Sequence, residues 1–206
     1  MGTILASAII NNASVALNDV AQVRWTQSEL LGYLNDAQRA AAAVRHDLSV
    51  ETRSFLLTAG ATKQTIPTDA LSLIEPVRNM GADGLTAGMP ITFTDRNSLD
   101  SVQPTWHSDA NALGYVRHVV KGTDMRVFYV YPKAPATWNM EAVFAVAPSN
   151  IPTAGSPIEL DDVYAPALEA YVLHKAYAKN TKSANDLQLA ASYLAVFTAA
   201  LGAKSA

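Results

Sequence analysis

The stretch Trp25–His46 constrains the fold most, because it specifies one long amphipathic helix. Thr26 followed three residues later by Glu29 has the spacing of a capping box, which satisfies free amides at a helix start. Apolar residues then recur at spacings of four and three, so that they share one helical stripe. The stripe consists of Leu30, Leu34, Ala37, Ala41 and Val44. A helix of roughly 20 residues spans about 30 Å, and the other elements must pack along it.

A first helix is predicted before this central one, from about Thr3 to Asp19. Its apolar residues form a broad face, and Asn18 and Asp19 favour its end because their side chains compete for backbone hydrogen bonds. The link from Ala21 to Arg24 is short, and two helices joined so briefly form an αα-hairpin.

The chain becomes helical again near its C-terminus. Asp161 or Asp162 is predicted to cap a helix that carries Pro166 in its first turn, where proline is tolerated. After a break at Asn180–Ser183, a second helix is predicted to run in heptad steps to a C-cap at Gly202. The apolar positions of that last helix are Leu187, Ala190, Leu194, Phe197 and Leu201.

The segment between the two helical ends, from Ser54 to Pro148, has strand and turn signals. Phe55–Leu57 and Lys63–Ile66 flank a turn at Ala59–Ala61 and predict a hairpin. Further strands are predicted at Leu71–Val77, where Pro76 indicates an edge or a bend, and at Ile91–Thr94, Tyr115–Val120, Arg126–Tyr131 and Met140–Val146. The segment Lys121–Asp124 is predicted to be the turn that joins Tyr115–Val120 to Arg126–Tyr131 in a hairpin.

These elements predict an α+β fold with a four-helix bundle, made of two N-terminal and two C-terminal helices, and a β-rich insertion. The expected bundle domain comprises residues 1–50 and 158–206, and the insertion domain residues 51–157. Prolines at 148, 152 and 157 mark the linker that leads back to the helices.

Composition narrows the possible functions. There is no cysteine, which excludes disulfides, zinc–thiolate sites and thiol catalysis. Charged residues make up 16% of the chain, below the usual quarter, and a surface short of charge indicates burial against other subunits; an alanine-rich monomer is the alternative. A net charge of −3 with no basic run argues against tight nucleic-acid binding. We expect neither a signal peptide nor a membrane-spanning helix.

Candidate catalytic and ligand-binding residues all have simpler structural explanations. The four histidines, His46, His107, His118 and His174, do not have metal-ligand spacing. The run from Trp106 to Asp109 contains the residue types of a hydrolytic triad, but sequence neighbours on one loop cannot easily adopt triad geometry.

Three other segments are interpreted in the same way. The pair Asp161 and Asp162 could bind a cation, yet a helix N-cap explains it. The loop Gly81–Gly84 lacks the Gly-Lys-Ser/Thr ending of a phosphate-binding loop. The aromatic segment Phe128–Tyr131 could stack nucleic-acid bases, but it lacks interleaved basic residues, so we interpret it as part of the sheet core. We therefore expect no catalytic residue, no cofactor-binding residue and no metal ligand, and a protein that is not an enzyme.

An ordered series of segments resembles the head-to-tail adaptor, or connector, proteins of tailed bacteriophages. The resemblance begins around the central helix and continues through most of the chain. The segments are Leu17–Asp19, Arg24–Thr26, Glu29–Leu31, Tyr33–Arg39, Val77–Gly81, Trp106–Ser108, Phe128–Pro132, Leu160–Leu168, Tyr171–Leu173 and Ala176–Tyr177.

The resemblance implies a structural virion protein that is made in the host cytoplasm and placed at the head–tail interface. Such a subunit belongs to a homo-oligomeric ring, usually a dodecamer, which joins the portal to tail tube or nozzle proteins. Genomic DNA passes through its channel during ejection without specific binding, and no cofactor is implied. The helical bundle would form the ring wall, and the β-rich insertion would receive tail proteins. We expect Ala41 on the central helix to lie at a contact between subunits.

Two alternatives stay open. The protein could instead be a tail-completion or tail-tube subunit, which would bind the tail terminus rather than the portal. It could also be a module that binds a ligand or receptor through the β insertion. A concave aromatic surface around Trp106, Trp138 and Tyr115 would support the binding module.

Overall fold

The computed structural model describes residues 2–110, 113–179 and 183–202. In these residues the chain forms five α-helices and two β-sheets, so the predicted α+β class is confirmed. The contacts divide the chain into two compact units, which we call the helical unit (Met1–Leu48 with Ala147–Ala206) and the β unit (Ser49–Val146). That the bundle and the insertion are separate domains stays a prediction.

The helices in chain order are α1 (Ala6–Ala16), α2 (Gln27–Val44), α3 (Arg96–Val102), α4 (Ala165–Ala178) and α5 (Ala184–Ala200). The strands are β1 (Val50–Leu56), β2 (Lys63–Thr65), β3 (Ala70–Asn79), β4 (Thr92–Phe93), β5 (His118–Lys121), β6 (Val127–Tyr131) and β7 (Asn139–Val146). The helices are not confined to the predicted N-terminal and C-terminal pairs, since α3 lies among the strands. Asp95 begins α3 by accepting a hydrogen bond from the Ser98 amide.

The start of α2 is set by Thr26, whose hydroxyl accepts a hydrogen bond from the Glu29 amide at 3.3 Å. The reciprocal half of the expected capping box does not form. The Glu29 carboxylate instead accepts hydrogen bonds from the Tyr33 hydroxyl at 2.7 Å and the Lys179 ammonium group at 2.9 Å. It therefore links the first turn of α2 to the end of α4.

The core of the helical unit is centred on α4, which contacts α1, α2 and α5. Four of the five residues in the predicted stripe of α2 are fully buried there, whereas Val44 is exposed. The stripe is wider than predicted, because Gln38 and Ala42 are buried as well. The first helix is shorter than predicted and ends at Ala16; Asn18 then adopts a left-handed conformation with φ 55°.

The β unit contains a three-stranded sheet in the order β1-β7-β3 and a four-stranded sheet in the order β2-β6-β5-β4. The predicted hairpin of Phe55–Leu57 with Lys63–Ile66 is wrong, because β1 pairs with β7 and β2 pairs with β6. The turn at Gly60 thus carries the chain from one sheet to the other. The hairpin of β5 and β6 is confirmed, and β3 is an edge strand with irregular pairing around Pro76.

The placement of Ala41 at a subunit contact is also wrong. Ala41 is fully buried in the core of its own helical unit. The alanine-rich middle of α2 therefore allows close packing inside the subunit rather than between subunits.

Substituting Ala41 distinguishes a position in the core of the subunit from a position at a contact between subunits. Ala41→Glu should lower the free energy of unfolding by about 3–5 kcal/mol, because the new carboxylate is buried without a partner. Ala43→Glu, on the exposed side of the same helix, should change it by less than about 0.5 kcal/mol. Urea denaturation followed by circular dichroism measures both, and equal midpoints for the two variants would contradict the burial of Ala41.

Candidate functional site

The link between α1 and α2 is organised by Asp19. Its carboxylate accepts hydrogen bonds from the backbone amides of Val23 at 3.0 Å, Arg24 at 2.9 Å and Trp25 at 2.9 Å. These bonds, that from Trp25 above all, lower the pKa of Asp19. The Trp25 ring is buried, and its indole nitrogen donates to the Ala176 carbonyl on α4 at 3.3 Å. The segments Leu17–Asp19 and Arg24–Thr26, which are part of the resemblance, therefore orient α2 on α4.

The polar residues of α2 hold the chain that returns from the β unit. The Asn35 amide group donates to the Ile151 carbonyl at 3.2 Å and accepts from the Ile151 amide at 2.7 Å. The buried Gln38 accepts from the Glu159 amide at 2.8 Å, and Arg39 donates to the Asn150 side chain. These side chains fix the returning chain along α2.

The two carboxylates that could have formed a cation site are engaged elsewhere. Asp161 accepts from the Val163 amide at 3.0 Å, as expected for a cap. Asp162 accepts from the amides of Thr3 at 2.7 Å and Ile4 at 2.9 Å. The hydroxyl of Thr3, followed by these amides, lowers the pKa of Asp162. Asp161 therefore caps the turn before α4, and Asp162 fastens Thr3 and Ile4 to it.

The centre of the β unit contains a hydrogen-bonded asparagine, Asn79, which is 1% exposed. Its side-chain nitrogen donates to the carbonyls of Met89 and Val116, each at 2.8 Å. Its side-chain oxygen accepts from the Val116 amide at 3.0 Å and the Trp138 indole at 2.8 Å. One residue of the Val77–Gly81 segment therefore joins three separate parts of the unit.

The residues of the possible triad are each bonded to a different group. The His107 ring nitrogen Nδ1 lies 3.1 Å from the Thr62 hydroxyl. The Ser108 hydroxyl donates to the Thr105 carbonyl at 3.0 Å, and the Asp109 carboxylate accepts from the side-chain nitrogen of Gln103 at 2.6 Å. This arrangement does not provide the nucleophile–base–carboxylate relay that hydrolysis requires.

The other histidines also have structural neighbours. His118 lies 3.0 Å from the Thr92 hydroxyl and is stacked beside Tyr131, and burial, with a smaller effect of Arg117, lowers its pKa. His174 on α4 lies 2.9 Å from the Ala190 carbonyl on α5. Both rings occupy packed positions in their own units.

The aromatic strand Phe128–Tyr131 is part of the core, as predicted. Phe128 and Val130 are buried, and the two tyrosines pack edge-on against Trp106. Trp106 is itself fully buried, and its indole donates to Asp100 at 2.6 Å. Trp106 therefore does not contribute to an exposed aromatic surface. The alternative of a ligand-binding or receptor-binding module loses the feature that would support it.

The loop Gly81–Gly84 is a turn closed by Asp83. The Asp83 carboxylate accepts from the amides of Leu85 and Thr86, each at 3.0 Å, and from the Thr86 hydroxyl at 2.6 Å. The Thr86 hydroxyl, followed by these amides, lowers the pKa of Asp83 to about 2. The loop stabilises its own backbone rather than a phosphate.

Within the described ranges, no group of three or more histidine, cysteine or acidic side chains is arranged to hold a metal ion. No helix in the part of the chain that the structure describes has the length and apolarity needed to cross a bilayer.

Sequence reasoning missed an uncharged outer surface on the helical unit. The chain carries no charged residue from Leu187 to Gly202. We predicted that Leu187 and Leu194 pack inward, but they are 45% and 37% exposed, and Val196 is 54% exposed. Only Ala190 and Phe197 are buried within α5. The absence of charged residues from Leu187 to Gly202 could have indicated this surface, because a helix that is apolar on more than one side is typically covered on more than one side.

A similar surface exists on α1. No charged residue precedes Asp19 in the sequence, and Val15 is 64% exposed. By contrast, α2 carries Glu29, Asp36 and Arg39, and α4 carries Glu169 and Lys175. Both α1 and α5 pack against α4. Their exposed residues therefore form two distinct uncharged surfaces of the helical unit.

The α+β fold and the motifs that hold it together are what a protein with a structural role requires. The profile of the SU10 adaptor protein family matches residues 5–206, and the chain belongs to this family. It is a phage adaptor protein, a structural component of the virion, which confirms the resemblance. A search of curated proteins finds no significant match.

Removing the Asn79 side chain should destabilise the β unit. Asn79→Ala leaves the buried backbone groups of Val116 and the half-buried indole of Trp138 without partners, and each buried group costs about 1–3 kcal/mol. Asn97→Ala, at an exposed position of α3, is the matched control and should be nearly neutral. Thermal unfolding followed by tryptophan fluorescence measures both, and an unchanged melting temperature for Asn79→Ala would contradict the assigned role.

The contribution of Asp162 should depend on pH. Its pKa in the folded state lies below the ordinary value of 3.8, so the ionised carboxylate stabilises the fold. The advantage of the wild type over Asp162→Asn should be full above pH 3.8 and should be lost as the pH falls through the lowered pKa. Thermal unfolding from pH 7 to pH 2 tests this.

Asp161→Asn is the control for that series, because it removes a neighbouring charge without removing an acceptor from Thr3 or Ile4. A difference between wild type and Asp162→Asn that persists undiminished at pH 2 would contradict the linkage.

Proposed function

We propose that this adaptor is the subunit of a ring that joins the portal to the tail and leaves a central channel for the genome. Membership of the adaptor family over residues 5–206 carries the proposal. A dodecamer is the copy number that we propose. The proposed partners are the portal on one side and the tail tube or nozzle proteins on the other. As a structural protein at the head–tail interface, it is assigned no enzymatic activity.

The uncharged surfaces of α1 and α5 support ring formation. A ring requires a heterologous contact, in which one surface of each copy meets a different surface of the next. The surface of α5 around Val196 and that of α1 around Val15 are different, uncharged and exposed, and the α1 surface includes the exposed Asn11 and Asn12. Because neither carries charge, they can be buried against each other without desolvating an ion.

We assign the ring wall to α1, α2, α4 and α5, which in this proposal form a four-helix bundle domain. The β-rich segment is then an insertion domain that faces neighbouring proteins. The net charge of −3 per copy suits a channel through which phosphates move without being held.

Mass measurements test the proposal directly. Mass photometry of the purified protein with purified portal should show growth to a ring-sized complex. Without portal, any ring should be less abundant. A stable monomer that ignores the portal would contradict the proposal and favour the tail-completion alternative, which the same assay with tail proteins detects.

A charge on α5 should block this growth. Val196→Glu places a carboxylate in the proposed contact but in solvent in the monomer, so the ring should fail to form while the melting temperature stays within about 2 °C. Val102→Glu, at an 81% exposed position of the β unit, is the control. Rings of normal mass from Val196→Glu would contradict the proposed contact.

Binding to DNA should be weak. At physiological salt, fluorescence anisotropy with duplex DNA should give no submicromolar affinity and only a shallow dependence on salt, because few phosphates are neutralised. Submicromolar binding would indicate a protein that grips DNA.

A further inference from the structure

The three-stranded sheet of the β unit has one protected edge and one open edge. The protected edge is β3, where Pro76 and three register shifts interrupt the strand. The Asn79 amide donates to the Met89 carbonyl, the Ile91 amide donates to Val77, and the Arg126 guanidinium donates to the Ala70 carbonyl at 2.9 Å. Proline, bulges and covering segments are the usual devices that prevent an edge from pairing.

The open edge is β1, which has no proline, no register shift and no covering segment among the described residues that hydrogen-bonds to its backbone. Its two charged residues, Glu51 and Arg53, lie at positions that pair with β7 rather than at the outward positions. Its seven residues pair with β7 in one unbroken antiparallel register and contain no proline. The flanking pairs fix its hydrogen-bonding pattern, because the Val146 amide donates to Ser49 and the Leu57 amide donates to Trp138, each at 2.9 Å.

In an antiparallel ladder the bonded residues alternate. Glu51, Arg53 and Phe55 therefore face β7, and the even-numbered residues face away from it. Val50, Thr52, Ser54 and Leu56 thus point their backbone N–H and C=O groups outward along the free edge. The side chains of these four residues are all exposed, with Val50 at 50% and Leu56 at 60%.

We infer that the β1 edge binds an extended segment of a different virion protein, which adds a fourth strand to the sheet. Unpaired main-chain donors and acceptors at a sheet edge recognise another strand through its backbone. A segment of about seven residues would cover the edge over roughly 23 Å. Apolar side chains opposite Val50 and Leu56, with small polar side chains between them, would match its outer face.

A second copy of this chain does not fit that role. The edges of the four-stranded sheet are β2, with three residues, and β4, with two, and β3 is protected. Among the strands of the described residues, a second copy could therefore supply only its own β1, and the contact between two β1 strands would be isologous. An isologous contact pairs two rings face to face, whereas a ring that joins a head to a tail has two different sides. This step rests on the proposed function.

Hydrogen exchange of backbone amides tests the inference. In the free protein the amides of Thr52 and Ser54 should exchange rapidly, while those of Arg53 and Phe55 should be protected by β7. In the assembly of adaptor with purified portal and tail proteins of the same phage, Thr52 and Ser54 should become protected as well. Rapid exchange at both positions in the full assembly would overturn the inference. Protection of both in adaptor-only oligomers would overturn it too, because it would indicate self-pairing.

A proline substitution gives a second, independent test. Thr52→Pro removes an outward N–H without removing a bond to β7, which edge strands tolerate. It should weaken binding of the partner whose addition protects β1 by about tenfold or more. Thr52→Val keeps the amide and should bind like the wild type. Undiminished binding by a folded Thr52→Pro variant would overturn the inference.

The two proposals fail in different ways. If wild-type protein never assembles with the portal, the ring proposal is wrong. If wild-type rings form and bind tail proteins while the β1 edge stays open, only the strand-addition inference is wrong.

Discussion

The helical unit depends on the attachment of the returning chain to α2. Asn35 exchanges two hydrogen bonds with Ile151, and Gln38 accepts one from Glu159. These bonds join residues more than 100 positions apart, so they bring the two ends of the chain into one core. Backbone groups buried without partners would be costly, and the side chains of α2 supply partners that no regular strand or helix offers there.

Other polar residues, several of them in the motifs that resemble phage adaptors, have the same structural role. Asp19 positions Trp25, Asp162 fastens Thr3 and Ile4, and Asn79 joins three parts of the β unit. The side chains of these polar residues are engaged in hydrogen bonds within the subunit. In this protein the most recognisable motifs hold the subunit together, and the surfaces proposed for assembly are uncharged or made of backbone groups.

The sequence predicts local features well and long-range ones poorly. The cap at Thr26, the buried stripe of α2 and the turn between β5 and β6 follow from spacing within a few residues, and they are confirmed. The pairing of β1 with β7 joins residues far apart in the chain, and the nearby turn at Gly60 suggested the wrong partner. Ala41 was misplaced because small residues favour close packing equally well inside a subunit and between subunits. The exposure of Leu194 depends on which side of α5 meets α4, and periodicity alone does not determine that.

The most direct measurement is a cryo-EM reconstruction of the phage head–tail junction at side-chain resolution. We expect a ring of this chain between portal and tail, with α5 of each copy covered by α1 of its neighbour. We also expect β1 to be extended by a strand from another protein. A junction without this chain, or a ring in which Val196 and the β1 edge both face solvent, would contradict this arrangement.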